Sequence, residues 1–333
     1  MTCVDYWNTN WDPFDQQKQN GLLSSLEPIQ RVAGNMNVVC GNEYEREAFE
    51  GVVLTALWGN KMDLSLWPSS KNGSGGGGGD GKEEEGELHK AMETMIREGR
   101  KFILADDLMG IVEHAEKVKN RENDNNGRDG KRRLKRFDII VDNAGFELFT
   151  DLCLADYVIS TKMVNVVVVH LKGHPVFVSD AMVKDVNYTV SVLCESSETA
   201  VQELGSRWRK YIDEGRMVLS YDYYWSQPFA FWEMPTRLRE TMSGSNLVFI
   251  KGDCNYRRCL GDREWQLDTP WKDIMNYFPA PAAALRVLKA ELGCGMSKDK
   301  MAEAESADKD WLTNGKFAVV QFLDPSRETS NET

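Results

Sequence analysis

In two short segments of the chain, an apolar run is followed by an acid that could bind a divalent cation. Segment 137–151, FDIIVDNAGFELFTD, has an apolar run followed by Asp142 and Asn143, and segment 175–185, PVFVSDAMVKD, has an apolar run followed by Asp180. Because ligands in open α/β sheets bind at the carboxyl ends of the strands, we expect the two segments to meet there. Carboxylate and amide oxygens suit Mg²⁺ or Mn²⁺ better than Zn²⁺. The alternative is that each acid only caps the helix that follows it.

Several cations also lie beside predicted strands. Segment 251–258 reads KGDCNYRR, segment 283–291 reads AALRVLKAE and contains Arg286 and Lys289, and Lys316 precedes another apolar run. A single cation in such a place is usually a solvated charge at a strand end. Several of them beside a metal site would instead hold a phosphoryl group.

Six ordered blocks of sequence resemble the damage-control phosphatase family of metal-dependent sugar-phosphate phosphatases. The blocks are 57–61 with 63–66, 142–147, 178–180, 251–258, 285–291 and 315–316. The resemblance covers residues 45–323 apart from two low-complexity insertions. One branch of the family has also been described as a protein-glutamate methyltransferase.

The resemblance implies a site residue by residue. Three residues would bind the metal, which is Mn²⁺, Ni²⁺, Co²⁺ or Mg²⁺ in this interpretation: Asp142, Asn143 and Asp180. Five residues would bind the substrate: Glu147 at the sugar hydroxyls, Asp253 in the same pocket, and Arg286, Lys289 and Lys316 at the phosphate. Either Glu147 or Asp253 could instead accept the proton of the attacking water.

Two departures from the family pattern leave a weaker interpretation open. Val287 stands where the family has a hydroxyl that could donate to a phosphate oxygen, and segment 1–30 has no counterpart of the family's Arg-Trp element. The second departure implies a shortened amino terminus or a pocket that is open on that side. Both would be consistent with a catalytically weakened member that binds a sugar phosphate.

The competing class of function is an S-adenosylmethionine-dependent protein carboxyl methyltransferase. Such enzymes usually have a Gly-rich turn directly after their first strand. The long Gly tract of this chain, 75–79, lies in a low-complexity stretch with no strand before it. The tract therefore resembles a linker, which weakens this alternative.

Composition excludes some classes of partner. The chain has 333 residues, of which 41% are hydrophobic, and a net charge of −12. Broad binding to nucleic acid or to an anionic membrane is therefore not expected as the main activity, and a small-molecule sugar phosphate is the expected partner. The seven cysteines form no C-x-x-C pair, which favours free thiols and a cytoplasmic location. The basic segment 120–136 leaves the nucleus as an alternative, although it is more typical of a solvated loop.

Alternating apolar and amphipathic segments predict a three-layer α/β/α sandwich with a mostly parallel sheet. The predicted strands are 138–141, 163–170, 176–179, 217–220, 247–250, 283–288 and 317–322. The predicted helices include 44–58, 88–101, 108–119, 146–160, 181–193 and 199–214. The predicted organisation is a smaller helical domain, 1–116, with a flexible insertion at 68–87, then a basic loop, 117–136, an α/β metal-binding domain, 137–325, and a tail, 326–333. The aromatic segment 221–232 is expected to pack against the sheet rather than to stack on a sugar.

Overall fold

A seven-stranded sheet forms the centre of the computed structural model, which describes residues 11–59, 94, 96–121 and 134–325. The predicted insertion 68–87, the tail 326–333 and half of the predicted helix 88–101 lie outside the described residues, as does the middle of the basic loop. The strands are β1 (Ile103–Asp106), β2 (Arg136–Ile140), β3 (Val166–Lys172), β4 (Met217–Asp222), β5 (Leu247–Lys251), β6 (Ala282–Val287) and β7 (Ala318–Leu323).

The sheet is mostly parallel, as predicted. Its strand order is β1-β7-β6-β5-β2-β3-β4, and the single antiparallel pair is β6 with β7. The carboxyl ends of β2, β3, β5 and β6 therefore lie along one edge. Val287, at the end of β6, is paired with Ala318, so β7 begins at the same edge. β1 lies inside the segment predicted as a helical domain, 1–116, and pairs with β7 of the predicted α/β domain. The predicted domain boundaries stay a prediction.

Residues that alternate along the strands face two separate cores. Phe137 and Ile139 of β2 belong to one core, whereas Ile140 belongs to the other. This period of two is what a strand covered on both faces requires. The predicted three-layer sandwich is confirmed.

Helices cover both faces of the sheet. The first core is built with α1 (Asp15–Leu23), α2 (Leu26–Gly41), α3 (Arg46–Trp58), α4 (Leu108–Asn120), α5 (Phe146–Ser160), α6 (Val183–Cys194) and α7 (Thr199–Asp213). The second core is built with α8 (Thr236–Ser243), α9 (Gly252–Cys259), α10 (Trp271–Met275), α11 (Lys298–Ala307) and two 3₁₀ turns, Tyr223–Ser226 and Phe231–Glu233.

Three local differences from the predicted elements bear on the site. Segment 176–179 is a turn and not a strand, and its side chains Val176 and Phe177 are largely exposed. Segment 1–30 shows no clear sequence period, yet α1 and the start of α2 lie within it. Segment 252–259 forms α9 directly after β5.

No helix among the described residues is both long and apolar enough to cross a membrane. Six cysteines in the same part of the chain are free thiols, as the sequence predicts.

Candidate active site

A cavity of about 300 Å³ opens where the parallel strands end. Asp142 and Asn143 follow β2, Asp180 lies in the turn after β3, and Asp253 lies in the first turn of α9. The lining consists of Leu57, Trp58, Asp142, Asn143, Glu147, Phe177, Ser179, Asp180, Lys251, Gly252, Asp253, Cys254, Arg257, Leu285, Val287 and Lys289. The fold thus brings together six of the eight residues that the sequence singled out.

Asp142 and Asp180 are held together by a buried lysine. The Lys172 ammonium nitrogen lies 2.7 Å from Asp142 Oδ1 and 2.5 Å from Asp180 Oδ1, and it also donates to the Asp142 carbonyl at 3.1 Å. Lys172 is the last residue of β3 and its side chain is 3% exposed. Since both carboxylates contact one nitrogen atom, they are close enough to share one cation.

Backbone hydrogen bonds fix the orientation of Asp180. Its Oδ2 accepts hydrogen bonds from the N–H groups of Val176 and Phe177, at 2.7 and 2.9 Å. An isolated bridge also pairs its backbone with that of Asn143. The turn after β3 is therefore shaped around this carboxylate, which lies beside the end of β2.

Neither acid caps the helix that follows it. Gly145 is the N-cap residue of α5, and Met182 is the N-cap residue of α6. The Met182 N–H donates to Asp185 Oδ2 at 2.9 Å, so Asp185 supplies the capping carboxylate. Asp142 and Asp180 therefore line the cavity without serving as helix caps.

The donors at this wall fit a hard divalent cation. Asp142 and Asp180 supply carboxylate oxygens, and Asn143 supplies an amide oxygen that accepts from Ser179 Oγ at 2.8 Å. Cys254 lines the same cavity, and burial, followed by the negative charge of Asp142, raises the pKa of its thiol. All-oxygen donors are what Mg²⁺ and Mn²⁺ prefer.

A second acidic group, Asp12, Asp15 and Asp185, has a structural explanation. Lys18 bridges Asp12 and Asp185 at 2.8 Å each, and Lys184 contacts all three acids. Two ammonium groups already balance most of the negative charge. We interpret this group as an ion-pair network that ties α1 to α6.

Glu147 and Lys251 are two buried polar residues of the cavity wall. Glu147 accepts a hydrogen bond from Asn143 Nδ2 at 3.0 Å, and burial raises its pKa. Lys251 contacts Asp151 at 2.9 Å and the carbonyl oxygen of Ala56 in α3. Burial raises the pKa of Asp151 to about 7, although Lys251 opposes this. Lys251 therefore connects the sheet, α5 and α3 at the edge of the cavity.

Arg286 does not face the cavity. Its guanidinium is fully buried, lies 4.4 Å from the centre of the Tyr256 ring, and donates to Asp253 Oδ1 at 2.7 Å. It also donates to the carbonyl oxygens of Leu292 and Ala290, at 2.7 and 3.2 Å. Arg286 thus orients Asp253 from behind.

The other two cations predicted to bind phosphate, Lys289 and Lys316, lie in different places. Lys289 lines the cavity, whereas Lys316 is mostly exposed and pairs with Asp308 at 2.6 Å. Three other cations lie at the site instead: Lys172, which sequence reasoning missed, and Lys251 and Arg257, which it noted only as part of the cationic segment 251–258. The position of Lys172 and Lys251 at strand ends is a signal that could have identified them.

Gly252 allows β5 and α9 to approach Asp142. Its φ is +84°, and a Cβ added there would lie 2.1 Å from Asp142 Oδ2. We expect Gly252→Ala to destabilise the protein by about 1–3 kcal/mol more than Gly215→Ala, and to weaken Mn²⁺ binding. Gly215 has a similar φ, +68°, but open space around it, so it controls for backbone strain. Urea unfolding and calorimetry measure the two effects, and equal losses in both variants would contradict the close contact.

Comparison with known proteins identifies the family. The model of the damage-control phosphatase ARMT1-like domain matches residues 2–304. The chain belongs to this family. Relatives named damage-control phosphatase ARMT1 occur in Danio rerio (31% identity over 329 residues, 96% of this chain and 69% of the relative), Bos taurus (30%, 93% and 66%) and Homo sapiens (29%, 97% and 70%).

The ARMT1-like chain spans about two thirds of the length of these relatives. A crystal structure of a DUF89 family protein from Pyrococcus horikoshii is also similar, with 15% identity, a TM-score of 0.43, and coverage of 86% of this chain and 73% of that one. The predicted family and the predicted class, a phosphatase and therefore a hydrolase, are confirmed.

Proposed function

We propose that this ARMT1-like chain is a divalent-metal-dependent phosphatase that hydrolyses sugar phosphates. The observation that carries the proposal is the convergence of Asp142, Asn143 and Asp180 on one wall of a cavity that Lys289 also lines. The three oxygen donors would hold Mn²⁺, Ni²⁺, Co²⁺ or Mg²⁺. When bound, the ion would supply a Lewis acid and lower the pKa of a water molecule.

The cavity cations would hold the phosphate. Three cations, Lys251, Arg257 and Lys289, line the cavity. Fixed positive charge at these positions would balance the charge that develops on the phosphoryl oxygens. Arg286 would act through Asp253, which it orients, and Lys316 has no place in the proposed contact with phosphate.

The two remaining carboxylates would bind the sugar hydroxyls. Glu147 is held by Asn143, and Asp253 is held by Arg286, so each presents a fixed acceptor. Trp58 of α3 also lines the cavity, is 6% exposed, and donates its indole N–H to the Gly99 carbonyl at 3.1 Å, so it forms a fixed part of the cavity wall. Carboxylates in these positions would discriminate a polyol phosphate from free phosphate.

Phosphate release is the direct test of this function. We expect the purified protein to release phosphate from hexose phosphates when supplied with Mn²⁺, Co²⁺, Ni²⁺ or Mg²⁺, and EDTA to stop the release. Removal of the ion would remove the acid that polarises the phosphoryl oxygen. A colorimetric phosphate assay with each metal measures the effect, and turnover that persists in EDTA would reject the proposed site.

One observation favours a second candidate, a weakened member that binds a sugar phosphate without rapid turnover. Val287 lines the cavity and offers no hydroxyl to a phosphate oxygen. Calorimetry distinguishes the two candidates, because binding of metal and sugar phosphate without phosphate release would support the weakened member. Val287→Thr would then be expected to increase turnover.

A further inference from the structure

A second cavity adjoins the first one and has not been assigned a role. Its volume is about 320 Å³. Four residues line both cavities: Phe177, Asp180, Cys254 and Arg257. The two spaces therefore meet at Asp180, beside the proposed metal site, and a single ligand could extend from one into the other.

The second cavity has an apolar wall that is rigidly held. Trp225, Pro228 and Ala230 form part of this wall, and Phe177, which is 58% exposed, lies at the boundary between the two cavities. Arg258, which also lines this cavity, holds the wall through hydrogen bonds to the carbonyl oxygens of Trp225 and of neighbouring residues, at 2.8 to 3.1 Å. The aromatic segment 221–232 therefore packs against the protein, as expected, and Trp225, which is 3% exposed, also contributes to the lining of the cavity.

A fixed ion pair marks the opening between the cavities. Arg257 donates to both carboxylate oxygens of Asp262, at 2.8 and 2.9 Å. A bidentate pair of this kind fixes the plane of the guanidinium. Arg257 is thereby positioned to contact a phosphate in the first cavity while its side chain also borders the second.

The size of the first cavity limits what it holds. At about 300 Å³ it lies at the small end of ligand sites, which suits one phosphorylated sugar. An equal volume with an apolar wall remains beside it. We propose that the second cavity binds an apolar, planar substituent carried by the sugar of the phosphate ester, so that the preferred substrate class is larger than a simple hexose phosphate. This inference rests on the proposed function.

The proposal predicts a preference between two matched ligands. Phenyl β-D-glucoside 6-phosphate carries a ring that glucose 6-phosphate lacks. We expect its kcat/KM to be about tenfold higher, through a lower KM at similar kcat, because burial of the ring stabilises ground state and transition state equally. Gln227→Trp fills the second cavity from its exposed rim and should bring the ratio of the two kcat/KM values close to one. Phe229→Trp is the matched control. Phe229 is exposed and near Gln227 but is not one of the described residues that line either cavity, so this variant should keep the ratio at about ten.

Binding separates this inference from the function on which it rests. Calorimetry in the presence of EDTA measures the affinity of both ligands without turnover, and we expect the phenyl compound to bind about tenfold more tightly to the wild type but not to Gln227→Trp. Failure of phosphate release from both compounds, with this difference in affinity intact, would reject the phosphatase function and support the second cavity as a binding site. Equal affinities in the wild type, or a preference that survives in Gln227→Trp, would overturn the inference.

Discussion

Asp142→Asn should lower kcat by about 10²–10³-fold or more while the fold persists. The substitution keeps the shape of the side chain but removes one of the two negative charges at the proposed metal wall. It also leaves Lys172 with a single carboxylate partner, Asp180. Phosphate release measures kcat, calorimetry measures the affinity for Mn²⁺, and circular dichroism reports the fold.

The control for this prediction is an acid that has no contact with the cavity. Asp213 is exposed at the end of α7, and Asp213→Asn changes the net charge of the protein by the same amount. We expect it to retain turnover and metal affinity. Full activity in Asp142→Asn would remove Asp142 from the metal site, and equal losses in both variants would indicate an effect of charge alone.

Arg286→Met should destabilise the folded protein by about 3–5 kcal/mol. The side chain of Arg286 is fully buried, and its guanidinium donates to Asp253, Leu292 and Ala290. Removal of one partner leaves the Asp253 carboxylate near the interior without its counter-charge, and two carbonyl oxygens lose their donor. Urea unfolding measures the loss of free energy.

Lys316→Met provides the matched comparison, because sequence reasoning gave Arg286 and Lys316 the same role. The Lys316 side chain is 63% exposed and pairs with Asp308 at the surface, so its removal should change stability by no more than about 0.5 kcal/mol. Normal stability in Arg286→Met together with a large rise in KM would contradict the positioning role and restore the contact with phosphate.

The sequence predicts the edge of the sheet more reliably than the direction of each side chain. Apolar runs that end in polar residues correctly place Asp142 and Asp253 at strand ends. The difference between Arg286 and Lys289 depends on alternation along β6, where Leu285 and Val287 line the cavity and the residue between them points to the other face. Side chains alternate between the two faces of a strand, so Leu285 and Val287 share one face and Arg286 lies on the other. Applied to the predicted strand 283–288, this alternation would have placed Arg286 on the face away from the cavity.

The turn that carries Asp180 shows what a sequence pattern alone does not reveal. Val176 and Phe177 have the composition of a strand, yet their N–H groups donate to the Asp180 side chain instead of to a neighbouring strand. Composition reports the preference of a residue for a sheet, whereas the partner of its N–H group depends on contacts made across the fold. The position of Asp180 was therefore predicted correctly from an incorrect element.

The buried ammonium group of Lys172 has a consequence for how the protein handles metal ions. Many small metal-binding domains unfold without their ion, because the free energy of metal binding is a large part of their free energy of folding. Here the polypeptide carries its own positive charge between the two carboxylates. We therefore expect the fold to persist when the proposed metal ion is removed, because Lys172 already offsets the repulsion between the two carboxylates.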